Sequence, residues 1–249
     1  MRLCYRQFAL VATLILVVCA CAAAKEKEKE PEGQKVDSGS FGVFMGGHRV
    51  GTETFSIYQN QNGSVIESEF KTEGQNADAT QNSEMRLTGS GEVRRYDWRE
   101  VSPGKSQLTI LPTDQFLTQK WLTGPEEKEK EQPYLLPPST AILDDYFFVH
   151  REVLAWKFLA SACKQEKGRV QCPVKQRAQF GTLNPHQHSS APGSMEYLGR
   201  DKVTIKGAEH ELNKLELKCD SGTWHLWLDD QFKLLRISIV GENTEIVRD

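Results

Sequence analysis

The chain has 249 residues, 31 of them basic and 34 acidic, for a formal charge of −3. Such mild acidity offers no electrostatic reason to hold a nucleic acid, so no nucleic-acid partner is expected. No P-loop, G-x-S-x-G elbow or G-x-G-x-x-G fingerprint occurs, and no cofactor is expected.

Residues 1–20 read as an export signal. Arg2 and Arg6 supply a positive start, Phe8 to Val18 is an almost unbroken apolar run, and small residues follow from Ala20 to Ala24. The apolar core is too short for a standing transmembrane helix, which needs ~20 such residues. Two cleavage sites compete. Val18-Cys19-Ala20-Cys21 resembles the bacterial lipobox, and that resemblance implies a lipid on Cys21. Ala22 then stands where an Asp would retain a lipoprotein in the inner membrane, which points to the outer membrane, facing the periplasm. The alternative is Ala22-Ala23-Ala24, an A-x-A site that releases a soluble periplasmic or secreted protein beginning at Lys25. Residues 21–40 are expected to hold the anchor and a charged, disordered tether, built on the alternating run Lys25 to Glu30 and the segment Ser38-Gly39-Ser40.

Residues 41–249 read as one mainly β domain. From Phe41 the period is two, broken by turn residues at regular intervals. Gly46-Gly47-His48 is a tight turn, and Asn62-Gly63 is the strongest hairpin signal. In the strand Val50 to Tyr58, the residues Gly51, Glu53, Phe55 and Ile57 share a face. Ile66 and Phe70 face one way in the next strand. Pairs at 85–89 and 92–100, then 107–111 and 115–122, complete an antiparallel meander. The charge run Glu126 to Glu131 is expected to be an exposed loop.

One helix is expected over about 144–162, with Asp144 as its N-cap. Tyr146, Val149, Val153 and Trp156 form one apolar stripe, and Phe147, Leu154 and Phe158 form a second. A helix this broadly apolar must be nearly engulfed, which a curved sheet achieves and a flat one does not. Strands resume from 169 to 180. Residues 182–194 read as a loop, and strands at 195–205, 211–219, 223–228 and 234–240 close the chain. Trp224, Leu226 and Leu228 share a face. Cys163 and Cys172 enclose a polar turn and are paired as a disulfide, as an oxidising compartment allows. Cys219 is left as a small buried apolar residue.

Three segments together resemble uncharacterised bacterial envelope lipoprotein families with a sheet like that of the Lol-pathway carriers. They are the hairpin Phe44-Met45-Gly46-Gly47-His48-Arg49-Val50-Gly51, the helix start Ile142 to Phe148, and the strand Leu226-Trp227-Leu228-Asp229 followed by Leu234-Leu235-Arg236-Ile237. The resemblance implies a strongly curved antiparallel sheet, an open half-barrel, with one long helix in its concave face. In the carriers that concavity binds acyl chains.

Side chains with chemical potential have plainer readings beside them. His186-Gln187-His188 puts two rings on one side of a segment, yet in a Pro/Ser/Gly loop, so no metal site is assigned. Cys219 with His225 lacks an orienting third group. Asp144-Asp145 and Asp229-Asp230 suit a cap and a turn. The expected function is therefore non-enzymatic: an envelope lipoprotein attached to the membrane by its lipid and binding an apolar ligand, such as a lipid or a lipoprotein acyl chain. Its cavity would be lined by Phe147, Val153, Leu154, Trp156, Phe158 and Trp224. The alternatives are an assembly lipoprotein that docks an envelope protein partner without ligand, and a hydrolase with an unrecognised site.

Overall fold

Alternation of apolar and polar residues along the chain becomes one large sheet in the computed structural model, which describes residues 33–74, 79–166 and 169–249. The signal segment, Cys21 and the charged run after it lie outside these residues.

The first wing is a meander of eight strands: β1 (Gln34–Met45), β2 (His48–Asn60), β3 (Gly63–Thr72), β4 (Thr80–Thr88), β5 (Val93–Ser102), β6 (Gln107–Thr113), β7 (Phe116–Leu122) and β8 (Lys130–Tyr134). The chain then passes through β9 (Ala141–Ile142), the helix α1 (Val149–Ala162) and a small two-stranded ribbon, β10 (Lys164–Glu166) with β11 (Arg169–Gln171). The second wing follows as β12 (Arg177–Asn184), β13 (Ser189–Ile205), β14 (Ala208–Cys219), β15 (Gly222–Leu228), β16 (Leu234–Ile239) and β17 (Thr244–Arg248).

The spatial order is β8-β7-β6-β5-β4-β3-β2-β1-β17-β16-β15-β14-β13-β12-β9. The first and last strands therefore meet in the middle, Phe41 opposite Arg248 and Met45 opposite Thr244. All neighbours are antiparallel except β9 and β12. The sheet is strongly curved and open, a half-barrel with one helix. The crossover from the β8 edge to β12 carries that helix, whose residues share one core with strands of both wings.

Tight turns explain the long unbroken meander. Met45 pairs with His48 across Gly46 and Gly47, at φ of 58° and 80°. Positive φ at both central residues is what a two-residue hairpin needs and what glycine supplies without strain. Asn60 pairs with Gly63 in the next hairpin, where Asn62 donates its amide to Asn60 Oδ1 at 2.7 Å.

Several expectations are corrected. Residues 34–40 are strand, not tether, and Asp37 among them is buried. The reason is that this half of β1 pairs along its length with β2, from Gln34 opposite Gln59 to Ser40 opposite Thr54, so a polar sequence is stabilised by pairing. Residues 130–134 form the edge strand β8, with Lys130, Glu131 and Pro133 blunting the exposed edge. The expected strand over 169–180 is split into β11 and β12. The expected loop 182–194 shrinks to the turn 185–188, because β12 runs to Asn184 and β13 begins at Ser189. Pro192 is tolerated there because β14 pairs with β13 only from Ser194 onward, leaving one neighbour at Pro192.

The helix begins at Val149 rather than Asp144, and its N-cap position is Phe148, which has no side-chain cap of its own. Asp144 instead accepts the Tyr146 amide at 2.8 Å, holding a turn ahead of the helix. The helix is engulfed as its width requires. The surprise is its polar content: His150, Arg151 and Glu152 are consecutive and all buried. At the other end Cys163 and Cys172 form a disulfide that ties the helix terminus to the ribbon.

Candidate functional site: an apolar pocket beside a buried polar cluster

Buried charge at the start of α1 is answered by the sheet. Glu53 projects from the inner face of β2 between Gly51 and Phe55 and is fully buried. Its carboxylate accepts the Phe148 amide at 2.7 Å and the Val149 amide at 3.3 Å, and the Ser68 hydroxyl of β3 at 2.6 Å. A residue nearly one hundred positions away thus does the work of an N-cap. Burial pushes Glu53 up to about 7, against the pull of Ser68 and the two helix amides.

His150 lies one residue further along. Burial, with Arg151 adding to it, pushes this imidazole down to about 4, so it is neutral at ordinary pH. Its ring meets Tyr96 edge-on at 5.4 Å. Arg151 donates to the carbonyl oxygens of Asp144 (2.9 Å) and Phe147 (3.4 Å), and its guanidinium lies 4.1 Å over Trp224. Glu152 accepts the Leu234 amide at 3.0 Å and stands 3.5 Å from Arg248, which also holds Asp37 at 2.7 Å.

Ahead of the helix, the buried Asp144 accepts the Tyr96 hydroxyl at 2.5 Å and meets His186 Nε2 at 2.8 Å. Burial raises the carboxyl, but the His186 hydrogen bond and charge more than offset this and hold it below its usual range; burial likewise depresses His186 while Asp144 lifts it above its own. Trp98 and Tyr146 pack edge-on against the His186 ring, at 4.8 and 5.1 Å. His188 lies against Trp121 at 4.3 Å instead. Gln119 of β7 donates to Pro185 O at 2.7 Å. The turn 185–188 therefore bridges β5 and β7 to the second wing. Among the described residues no three His, Cys, Asp or Glu side chains gather where they could share a metal ion.

The pocket lies between β4, the segment around β9 and one face of α1. His150, Val153, Leu154 and Lys157 recur at the three- and four-residue spacing that puts them on a single helical face. Met85, Leu87, Val93 and Ile142 supply most of the opposite wall. The cavity is about 40 Å³ and partly open. A void near ~150 Å³ holds a benzene ring, so this one takes a few carbon atoms and not a whole chain. Lys157 at the rim donates to Gly91 O at 2.9 Å and Ser139 O at 3.0 Å.

Of the six expected cavity residues, Val153 and Leu154 line this pocket. Phe147 and Phe158 are packed in the core. Trp156 is half-buried and donates its indole N–H to Phe232 O at 2.6 Å, and Trp224 lies under Arg151. Cys219 and His225 are on opposite faces of the sheet: Cys219 packs against the main core, while His225 sits 3.6 Å from Glu216 and beside Trp227. Asp229 stabilises its turn, accepting the Gln231 and Lys233 amides at 2.8 and 2.9 Å. Glu53 was missed as a functional residue, although its place on a face shared with Gly51, Phe55 and Ile57 marked it as a buried acid.

The fold and the pocket together define an open half-barrel closed over a helix. No family model matches the chain, and no curated protein does. Among solved structures it is similar to a DUF1089 family protein from Pseudomonas aeruginosa. The identity is 10% and the TM-score 0.43, over 76% of this chain and 90% of that one. None of these comparisons supports membership of the Lol-type lipoprotein families, and a likeness at this level carries nothing about activity.

Proposed function

We propose that the chain is a non-enzymatic envelope lipoprotein that seats one end of a lipid or acyl chain in the pocket beside α1. The supporting observation is that the helix, though engulfed, leaves an apolar recess uncovered between Met85, Ile142 and Leu154. Apolar surface left open in this way is a small reservoir of binding free energy, ~25 cal/mol per Å² covered. Because the recess is small, only the end of a ligand enters. The remainder would lie along the surface or stay in a membrane.

The anchoring part of the proposal belongs to Cys21. A lipid there would place the domain at the outer membrane, facing the periplasm. Metabolic labelling with a fatty acid checks this directly. Label lost on Cys21→Ser supports the anchor, and an unlabelled chain beginning at Lys25 removes it. Ligand binding is checked by mass spectrometry of organic extracts from the purified protein. Stoichiometric lipid supports it, and its repeated absence, with xenon failing to enter the pocket, removes it.

A second reading is favoured by a different surface. Leu135 is 83% exposed immediately after the edge strand β8. An edge strand with an exposed leucine beside it suits docking of an envelope protein. Site-specific crosslinking from position 135 in cells would yield one discrete partner on that reading.

A further inference from the structure

Two polar side chains in the pocket wall are not accounted for by the fold. His150 is 1% exposed, and neither ring nitrogen has a hydrogen-bond partner. Thr140, just before β9, is 2% exposed, and its Oγ1 is likewise unpartnered. They approach the same recess from different elements, one from α1 and one from the segment leading into β9. Buried polar atoms are almost always paired in folded proteins, because leaving one without a partner forfeits its hydration and returns nothing. Two such groups in the wall of one apolar recess therefore mark a place built for something that bonds.

We propose that the pocket recognises a neutral hydrogen-bonding group, a hydroxyl or a carbonyl, carried on an apolar body. This rests on reading the recess as the ligand site. A neutral imidazole presents one donor and one acceptor, and a threonine hydroxyl presents both. An alcohol can satisfy the pair in both directions, and an ester carbonyl can accept from either. A carboxylate fares worse. Burial and the neighbouring Arg151 keep His150 uncharged, so the inner end supplies no cation. The Lys157 ammonium stays at the rim, already held by the Gly91 and Ser139 carbonyls. An anion drawn inside would lose its water without gaining an ion partner. The class implied is an alcohol or ester of an apolar chain, not a free fatty acid.

The test uses the full chain with ¹³C-labelled methionine methyls, reading Met85 in the pocket wall. The probes at pH 7 are xenon, 1-hexanol and hexanoate. Xenon should perturb Met85. 1-Hexanol should bind about tenfold more tightly than hexanoate, the worth of one well-made hydrogen bond. His150→Phe and, independently, Thr140→Val should each bring the two probes to within about threefold, the expected residue of losing that bond. Thr140→Val keeps the shape of the wall, so it reports even where His150→Phe fails to fold. Hexanoate binding as tightly as 1-hexanol overturns the inference, as does a preference unchanged in Thr140→Val. Xenon entering while 1-hexanol does not bind overturns the polar part and leaves the apolar pocket standing. If neither enters, the pocket reading falls and this inference with it.

Discussion

Glu53 and His150 are both buried in the core but opposite in their proton chemistry. Glu53 is raised from its ordinary value of 4.5 to about 7 by burial, so the folded chain holds a proton there that the unfolded chain releases. That makes stability fall as pH rises from about 4.5 to about 7. His150 is lowered from 6.5 to about 4 by burial, so between those values the unfolded chain holds the extra proton. That makes stability rise with pH over about 4 to 6.5. The two slopes oppose each other and nearly cancel between pH 4.5 and 6.5. Removing one should expose the other. Relative to the wild type, Glu53→Gln should add a positive slope of about 1.4 kcal/mol per pH unit, and His150→Phe a negative slope of about the same size. Urea unfolding at half-unit steps from pH 4.5 to 6.5 reads both. Parallel curves for all three proteins would mean that neither group changes its proton on folding. Glu53 was legible as a buried acid from the alternation of β2. Its partner was not, because nothing local to residues 148 and 149 announces a carboxylate from another strand.

At the scale of elements, α1 shows where pattern and tertiary context part. The apolar stripes correctly required a helix covered on most sides. They could not say that His150, Arg151 and Glu152 go inside too, because a run of three polar residues ordinarily marks a solvated face. Two of them meet a prepared environment, the Arg151 guanidinium over Trp224 and Glu152 on the Leu234 amide, while His150 stands without a hydrogen-bond partner in the wall of the recess. The helix start moved from Asp144 to Val149 for a related reason. Asp144 is occupied by Tyr96 and His186, and Glu53 takes the capping role. The disulfide was readable from spacing alone and closes the other end of the helix, spanning nine positions. Replacing Cys163 and Cys172 with serine should cost about 2–3 kcal/mol in the chain-entropy model. Hydrogen exchange should quicken most in the last turn of α1 and in β10–β11. Uniform acceleration across the sheet would show that the bridge supports the whole fold and not this terminus.

Among the described residues the sheet is joined at its centre by its first and last strands. β1 and β17 meet there, and Arg248 joins them to the helix, bonding Asp37 and standing beside Glu152. Burial would raise Asp37, but Lys233 and Arg248 outweigh it and hold the carboxyl below its ordinary value. Arg248→Met still fills the space over Phe41 and Phe55 but removes the guanidinium that stacks on them and leaves the buried Asp37 carboxylate without one of its two cations. The expected loss is about 3 kcal/mol, as for other buried pairs broken on one side. A midpoint within error of the wild type in chemical denaturation would show that the seam is held by strand pairing alone.

What the sequence determined by itself was local. Period-two alternation, glycine turns and one broad apolar helix are short-range signals, and they required a curved, mainly antiparallel sheet around a helix. What only the tertiary structure decided was which distant residues meet. The sequence carries no mark that residues 34–40 join the sheet, since they are largely polar and only their pairing with β2 makes them a strand. Nor does it mark that Glu53 caps α1, or that His150 and Thr140 share one recess. The last two follow from packing the crossover helix against the first wing, which brings together groups whose separation along the chain holds no record of it.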